Sequence, residues 1–180
     1  MNICVFMKQV PHKDSPLRIS NDNLSILEDQ LTFVTNECDS YALEEALLIK
    51  EKTDGAVIVV TFGRESALQV VKDALAKGAD SGIFIDESGF GNIDSLTLGK
   101  LFKSVVKDEK FDLVLTGIQS DDYGHGQLGL IMAELLSMSH ASLVMGTEVV
   151  DEKTIKVKRE LESGWFQWVE LGLPTSITIQ

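Results

Sequence analysis

Phe111-Asp112-Leu113-Val114-Leu115-Thr116-Gly117-Ile118-Gln119-Ser120-Asp121-Asp122-Tyr123-Gly124-His125-Gly126-Gln127-Leu128-Gly129 is the stretch whose reading decides the fold. Phe111 to Thr116 is an apolar run that reads as a buried strand, and a helical pattern follows from about Gly126 to Leu136. A strand feeding a helix through a glycine-bearing loop makes an anion site, because the first helical turn has unpaired N–H groups and the positive end of the helix dipole. A phosphate is therefore expected at the backbone of Gly126, Gln127 and Leu128. The stretch also contains Gly-x-Gly-x-x-Gly at Gly124, Gly126 and Gly129. A dinucleotide fingerprint turns directly out of its strand, whereas Gly117 to Tyr123 intervene here, so the glycines alone do not signal one.

Working outward, Asn2 to Met7 is a continuous apolar run of the kind found in a parallel strand covered on both faces. Pro11 takes the chain out of the sheet. Leu17 to Ile19 and Leu24 to Leu27 flank Asn21-Asp22-Asn23 and read as a hairpin, inserted at about residues 17–35. Asn36 or Asp39 caps a helix running to about Lys52. Ala56 to Thr61 is a second buried strand, followed by a helix that closes at Lys77-Gly78. Ser81 to Ile85 is a third strand, and Asp94 caps a third helix. Repeated strand-helix order implies right-handed crossovers and a parallel, doubly wound, Rossmann-like α/β sheet. Residues 143–150, 154–159, 165–171 and 175–179 are consecutive strand patterns, expected to add antiparallel strands at the C-terminal end. One domain covering residues 1–180 is expected, since no repeat or linker divides the chain.

Sixteen Lys and Arg against 28 Asp and Glu give a net charge of −12, which repels nucleic acid and anionic membrane surfaces. No apolar stretch reaches the roughly 18 residues of a membrane span. Cys4 and Cys38 form no framework and no Cys-x-x-Cys pair. With no leader-like start after Met1, the expected compartment is the cytoplasm. His12, His125 and His140 have no metal-ligand spacing, and neither a nucleophile elbow nor a Walker lysine is present. These features favour a carrier or binding protein over a hydrolase.

Ligands of open parallel sheets sit beyond the carboxyl ends of the strands. Four segments converge there: Phe6-Met7-Lys8-Gln9, Asn36 to Asp39, Thr61-Phe62-Gly63, and the loop from Gly117 through Gln119, Ser120, Asp121, Gly126, Gln127 and Leu128 to Gly129. Phe6 and Phe62 can flank a flat adenine or serve as core aromatics. Asn36 can contact a base or cap its helix, and capping is the commoner role. Asp121 and Asp122 oppose a phosphate by about 1 kcal/mol at 4 Å in water, while each charged hydrogen bond to a backbone N–H returns about 1.5–3 kcal/mol. Phosphate binding survives the acidic pair if its side chains face solvent or ribose; otherwise the pair only makes a turn.

Val5-Phe6-Met7-Lys8-Gln9-Val10-Pro11, the hairpin, Asn36-x-x-Asp39-x-Tyr41-Ala42-Leu43-Glu44-Glu45-Ala46, Ala74 to Asp80, Thr116 to Ser120, Arg159-Glu160-Leu161-Glu162-x-Gly164 and Leu173-Pro174 occur in an order and spacing that resemble the β-subunit of electron transfer flavoproteins. The resemblance implies a heterodimer whose α-subunit carries a redox FAD, with AMP held structurally in this chain. Electrons would pass from acyl-CoA or other flavin dehydrogenases through that flavin. It also implies that Phe6, Asn36, Asp39, Phe62 and the 117–128 loop are the adenylate contacts. Electron-bifurcating relatives place a second FAD in the same pocket. Similar β-subunits continue past position 180 into a partner-recognition loop and a C-terminal arm, so the resemblance covers the N-terminal nucleotide-binding core. Two other readings stand beside it: a stand-alone adenine-nucleotide-binding protein of the universal-stress type, and a nucleotide α-hydrolase or pyrophosphatase relative, for which Lys8 to Ser15 lacks the glycines.

Overall fold

Strand β1 (Asn2–Met7) sorts the core into two layers by the alternation of its side chains. Ile3, Val5 and Met7 enter one apolar cluster, and Cys4 and Phe6 enter the other. The computed structural model describes residues 1–180. After β1 come β2 (Gln9–Pro11), β3 (Arg18–Ile19), β4 (Ile26–Leu27), β5 (Phe33–Thr35), α1 (Glu37–Thr53), β6 (Ala56–Gly63), α2 (Leu68–Lys77) and β7 (Ser81–Asp86). The second half holds α3 (Ser95–Val106), β8 (Leu113–Gly117), α4 (Leu128–Leu136), β9 (Ser139–Val149), β10 (Thr154–Glu160), β11 (Phe166–Gly172) and β12 (Thr175–Ile179).

Eight strands form the main sheet in the order β11-β10-β9-β12-β8-β1-β6-β7. The six from β9 to β7 are parallel, and β10 and β11 extend the sheet antiparallel. Helices α1 and α2 pack on the Ile3 face, burying Ala42, Leu43, Ala46 and Ile49 of α1 and Val70 and Ala74 of α2. On the Phe6 face, Phe102 and Val106 of α3 and Met132 of α4 fill the second cluster. This is the doubly wound α/β arrangement expected from the order of elements. The inserted hairpin is present as β3 against β4, and a second small pair, β2 against β5, closes its base.

Three local expectations change. Asn36 occupies the N-cap position of α1, but its side chain makes no capping bond. Helix α4 starts at Leu128 rather than near Gly126. The last strand, β12, does not lie at an edge: it runs parallel between β8 and β9 and is buried throughout. Its hydroxyls are paid for internally, with Thr175 Oγ1 donating to Ser139 O at 2.8 Å and Ser176 Oγ to Gly129 O at 2.9 Å. Two buried polar side chains whose hydroxyls are hydrogen-bonded to backbone carbonyls thus behave as core residues. Strand β9 serves both sheet regions by bending at Leu143, whose φ is +59°. Ser139 to Ala141 before the bend pair with β12, Val144 just after it pairs with both β12 and β10, and Gly146 to Val149 pair with β10.

From β1 the chain moves through β6 to β7, then returns to β8 on the other side of β1. The carboxyl ends of β1 and β8 therefore flank a topological switch point, where open α/β sheets form a crevice.

Candidate functional site

The crevice above β1 and β8 is built by two side chains from the first turn of α1. Asp39 accepts a hydrogen bond from the Lys8 N–H at 2.9 Å and one from the Gly117 N–H at 3.0 Å, tying the ends of the two strands together. Asn36 donates from Nδ2 to the Gln119 carbonyl at 3.0 Å and accepts from the Asp121 N–H at 3.0 Å. Asn36 is fully buried and Asp39 nearly so. Burial pushes the Asp39 carboxyl up to about 7, against the opposing pull of the Lys8 N–H, Asn36 and the Gly117 N–H. Only glycine fits at position 117: a Cβ there would lie 2.5 Å from Asp39 Oδ1 and 2.7 Å from Cys38 Cβ.

Above this frame, residues 118–127 cross from β8 to α4. Gly124 and Gly126 take φ of +62° and +61°, a region that carries a steric penalty for other residues. Helix α4 begins without a side-chain cap, so its first N–H groups remain available. Gly129 lets that helix sit close to the sheet, since a Cβ there would be 2.4 Å from Thr178 Cγ2 and 2.7 Å from Thr116 Oγ1. Close helix-strand packing is the task of the third glycine in a dinucleotide fingerprint. Here it is performed after a much longer loop.

The residues singled out in the sequence are brought to this end of the sheet in different environments. Phe6 is a core residue, stacked on Phe102 with ring centroids 4.5 Å apart. Phe62 is partly buried and meets Phe90 edge-on at 5.6 Å. Asn36 and Asp39 direct their polar atoms into the protein frame. Gln119, Asp121, Gly126 and Gln127 are exposed along the loop, and Gly117, Ser120 and Leu128 are half-buried. At the end of β6, Thr61 Oγ1 is the one buried side-chain oxygen without a hydrogen-bond partner.

Lys8 and Tyr123 lie in segments expected to converge on the site, and the structure joins them in a way that the sequence does not specify. Lys8 Nζ binds both Asp122 oxygens, at 2.8 and 2.6 Å, and lies 4.9 Å from the Tyr123 ring centroid. Burial raises the Asp122 pKa, but hydrogen bonds from Lys8 and Ser120 outweigh it and hold the carboxyl below its ordinary value. The acidic pair is thereby split, with Asp122 neutralised and Asp121 exposed. The legible signal was a lysine placed directly after a buried strand that ends at the crevice. Cys38 lies beside the same turn, yet burial and the Asp121 and Asp39 carboxylates push its thiol up, away from nucleophilic chemistry. An open depression of about 450 Å³ lies at the other end of the sheet, between Val106, Phe111, Leu136 and Met138. Its rim carries three lysines and three carboxylates, a balanced set that selects no ligand charge. The converging backbone groups, by contrast, all lie at the carboxyl end.

What this arrangement supplies is a backbone-lined, uncapped helix start beside a rigid frame, suited to holding an anion rather than to acid-base or nucleophilic chemistry. The sequence profile of the electron transfer flavoprotein domain matches residues 23–180. Electron transfer flavoprotein subunit beta of Methylophilus methylotrophus is 34% identical over 184 residues, covering 100% of this chain and 69% of that protein. The same-named subunit of Bacillus subtilis (strain 168) is 31% identical over 181 residues, with 100% and 69% covered. Caffeyl-CoA reductase-Etf complex subunit CarD of Acetobacterium woodii is 33% identical over 180 residues, covering 99% of this chain and 68% of that protein. Matched by the family profile over most of its length and by β-subunits over essentially all of it, the chain belongs to the electron transfer flavoprotein family, as a β-subunit.

Proposed function

We propose that the crevice above β1 and β8 holds AMP as a structural ligand, and that the chain acts beside an α-subunit whose FAD accepts electrons from flavin dehydrogenases. The observation that carries the ligand reading is the Asn36–Asp39 frame, which fixes the loop root and leaves the uncapped start of α4 facing the crevice. In this reading the N–H groups at Gly126, Gln127 and Leu128 bind the phosphate, and Gly117 to Asp121 line the nucleoside. Phe6 and Asp39 contribute through the backbone they position, and Phe62 lies at the rim. The unpartnered Thr61 hydroxyl fits a polar neighbour at this end of the sheet. Residues 1–180 act as one nucleotide-binding domain. The redox chemistry belongs to the flavin when bound; this chain's own part is to bind, orient and exclude water.

The test is mass spectrometry of small molecules released on denaturing the purified protein, followed by titration of the stripped protein with AMP. Stoichiometric AMP, or its uptake by stripped protein, is the expected result. FAD in its place would assign the crevice to a second flavin. ATP, in a homodimer with no affinity for an α-subunit, would revive the stress-type reading. Absence of any adenine nucleotide, with no uptake of AMP, would overturn the proposal.

A further inference from the structure

The loop over the crevice is held in two unequal ways. Its root, Gly117 to Asp121, is fastened to α1 by Asn36 and Asp39, both buried. Its tip, residues 122–126, is exposed and hangs on few contacts. Gly124 N–H donates to the Ser120 carbonyl at 2.9 Å, the Tyr123 ring stacks on His125 with centroids 5.6 Å apart, and His125 Nδ1 lies 3.4 Å from Ser95 Oγ. The one charged tether is Lys8, which reaches from the end of β1 to both oxygens of Asp122 and under the Tyr123 ring. Asp122 spends its remaining capacity on its own loop, accepting from the Tyr123 N–H at 2.8 Å.

A lysine at a phosphate site ordinarily meets the phosphate itself. This one is already committed to a carboxylate in the loop next to the first turn of α4. Without it, both aspartates of the loop would oppose an incoming dianion, and the Asp122 side chain is partly covered, where a like charge repels more strongly than in bulk water. We propose that Lys8 is a positioning residue for the nucleotide loop: it cancels the Asp122 charge beside the start of α4 and holds the loop tip in place, without contacting the ligand. The proposal rests on the nucleotide reading above and names how that site tolerates its acidic pair.

The test is calorimetric titration of AMP into nucleotide-free wild type, Lys8→Met, Lys8→Arg and Lys8→Met/Asp122→Asn, with thermal melts to verify folding. Lys8→Met should weaken AMP binding about tenfold, on the scale of one charge-assisted contact. Lys8→Arg should retain most of the affinity. Removing the Asp122 charge in the double variant should recover binding to within about threefold of wild type, a rescue that a purely structural lysine would not give. Unchanged binding in Lys8→Met overturns the proposal. So does a double variant as weak as the single one, which would make Lys8 a direct phosphate ligand. If wild type itself binds no AMP, the ligand reading fails separately. Amide exchange of residues 122–126 then decides the tether: faster exchange in Lys8→Met supports it and unchanged exchange overturns it.

Discussion

Asn36 and Asp39 sit three positions apart on the first turn of α1, and each joins pieces of chain far away in sequence. Asn36 serves Gln119 and Asp121, 83 and 85 residues on. Replacing it with Ala leaves the Gln119 carbonyl and the Asp121 N–H without their buried side-chain partner. The expected loss is about 1–3 kcal/mol at roughly 0.5–1.5 kcal/mol for each of the two hydrogen bonds, read as a lowered denaturant midpoint; a loss under half a kcal/mol would contradict the frame. Asp39 adds a pH signature. Its folded pKa, about 7, lies above the ordinary value of 3.8, so the folded state binds its proton more tightly than the unfolded state. Its contribution to stability is therefore fully present below 3.8 and is lost as pH rises to about 7. Melting wild type and Asp39→Asn side by side should show the difference moving in favour of wild type as pH falls through that window. The opposite slope would sink the assignment. As a sequence, Asn36 followed by a helical pattern reads as a cap; only the distant partners reveal a clamp.

At the scale of elements, the central strands were legible because burial on both faces demands unbroken apolar runs, as in Ile3 to Met7 and Val57 to Val60. Asp94 was legible as a cap because its bond to the Thr97 N–H is local, at 2.7 Å. Strand β12 was not legible as an interior strand, since Thr175, Ser176 and Thr178 look like surface residues until their partners on β9 and α4 are placed. The contact between α4 and the sheet yields a prediction of its own. Gly129→Ala forces a methyl into Thr178 and Thr116, and overpacking of this kind costs about 1–3 kcal/mol. The variant should melt lower, and the displaced α4 should lose affinity for AMP; an unchanged melt would show that the helix can slide without penalty.

Across the whole molecule, a net charge of −12 on 180 residues sets a long-range self-repulsion that no single ion pair removes. An exposed or partly exposed opposite-charge contact such as Lys50 with Asp80, at 2.7 Å, contributes little to folding stability. Screening should then stabilise the fold: raising salt from low concentration to about 0.5 M, where the screening length falls to a few ångströms, should raise the melting temperature. A fall would mean that attractive pairs dominate. No helix is long and apolar enough to cross a membrane. The antiparallel extension carries Trp165 and Trp168 at 72% and 52% exposure. Both indoles should therefore be quenched by iodide in the native protein.

By itself the sequence determined the parallel core, the alternation of strands and helices, the inserted hairpin and the carboxyl-end loop. These follow from local periodicity, turn chemistry and the apolar runs that double-sided burial requires. The tertiary structure decided which end-strand enters the sheet, that Asn36 clamps instead of capping, that Asp39 is buried between two backbone N–H groups, and that Lys8 neutralises Asp122. Each of those outcomes depends on groups separated by more than 30 residues in the chain, and side-chain hydrogen bonds and ion pairs over such distances leave no period in a sequence for a reader to detect.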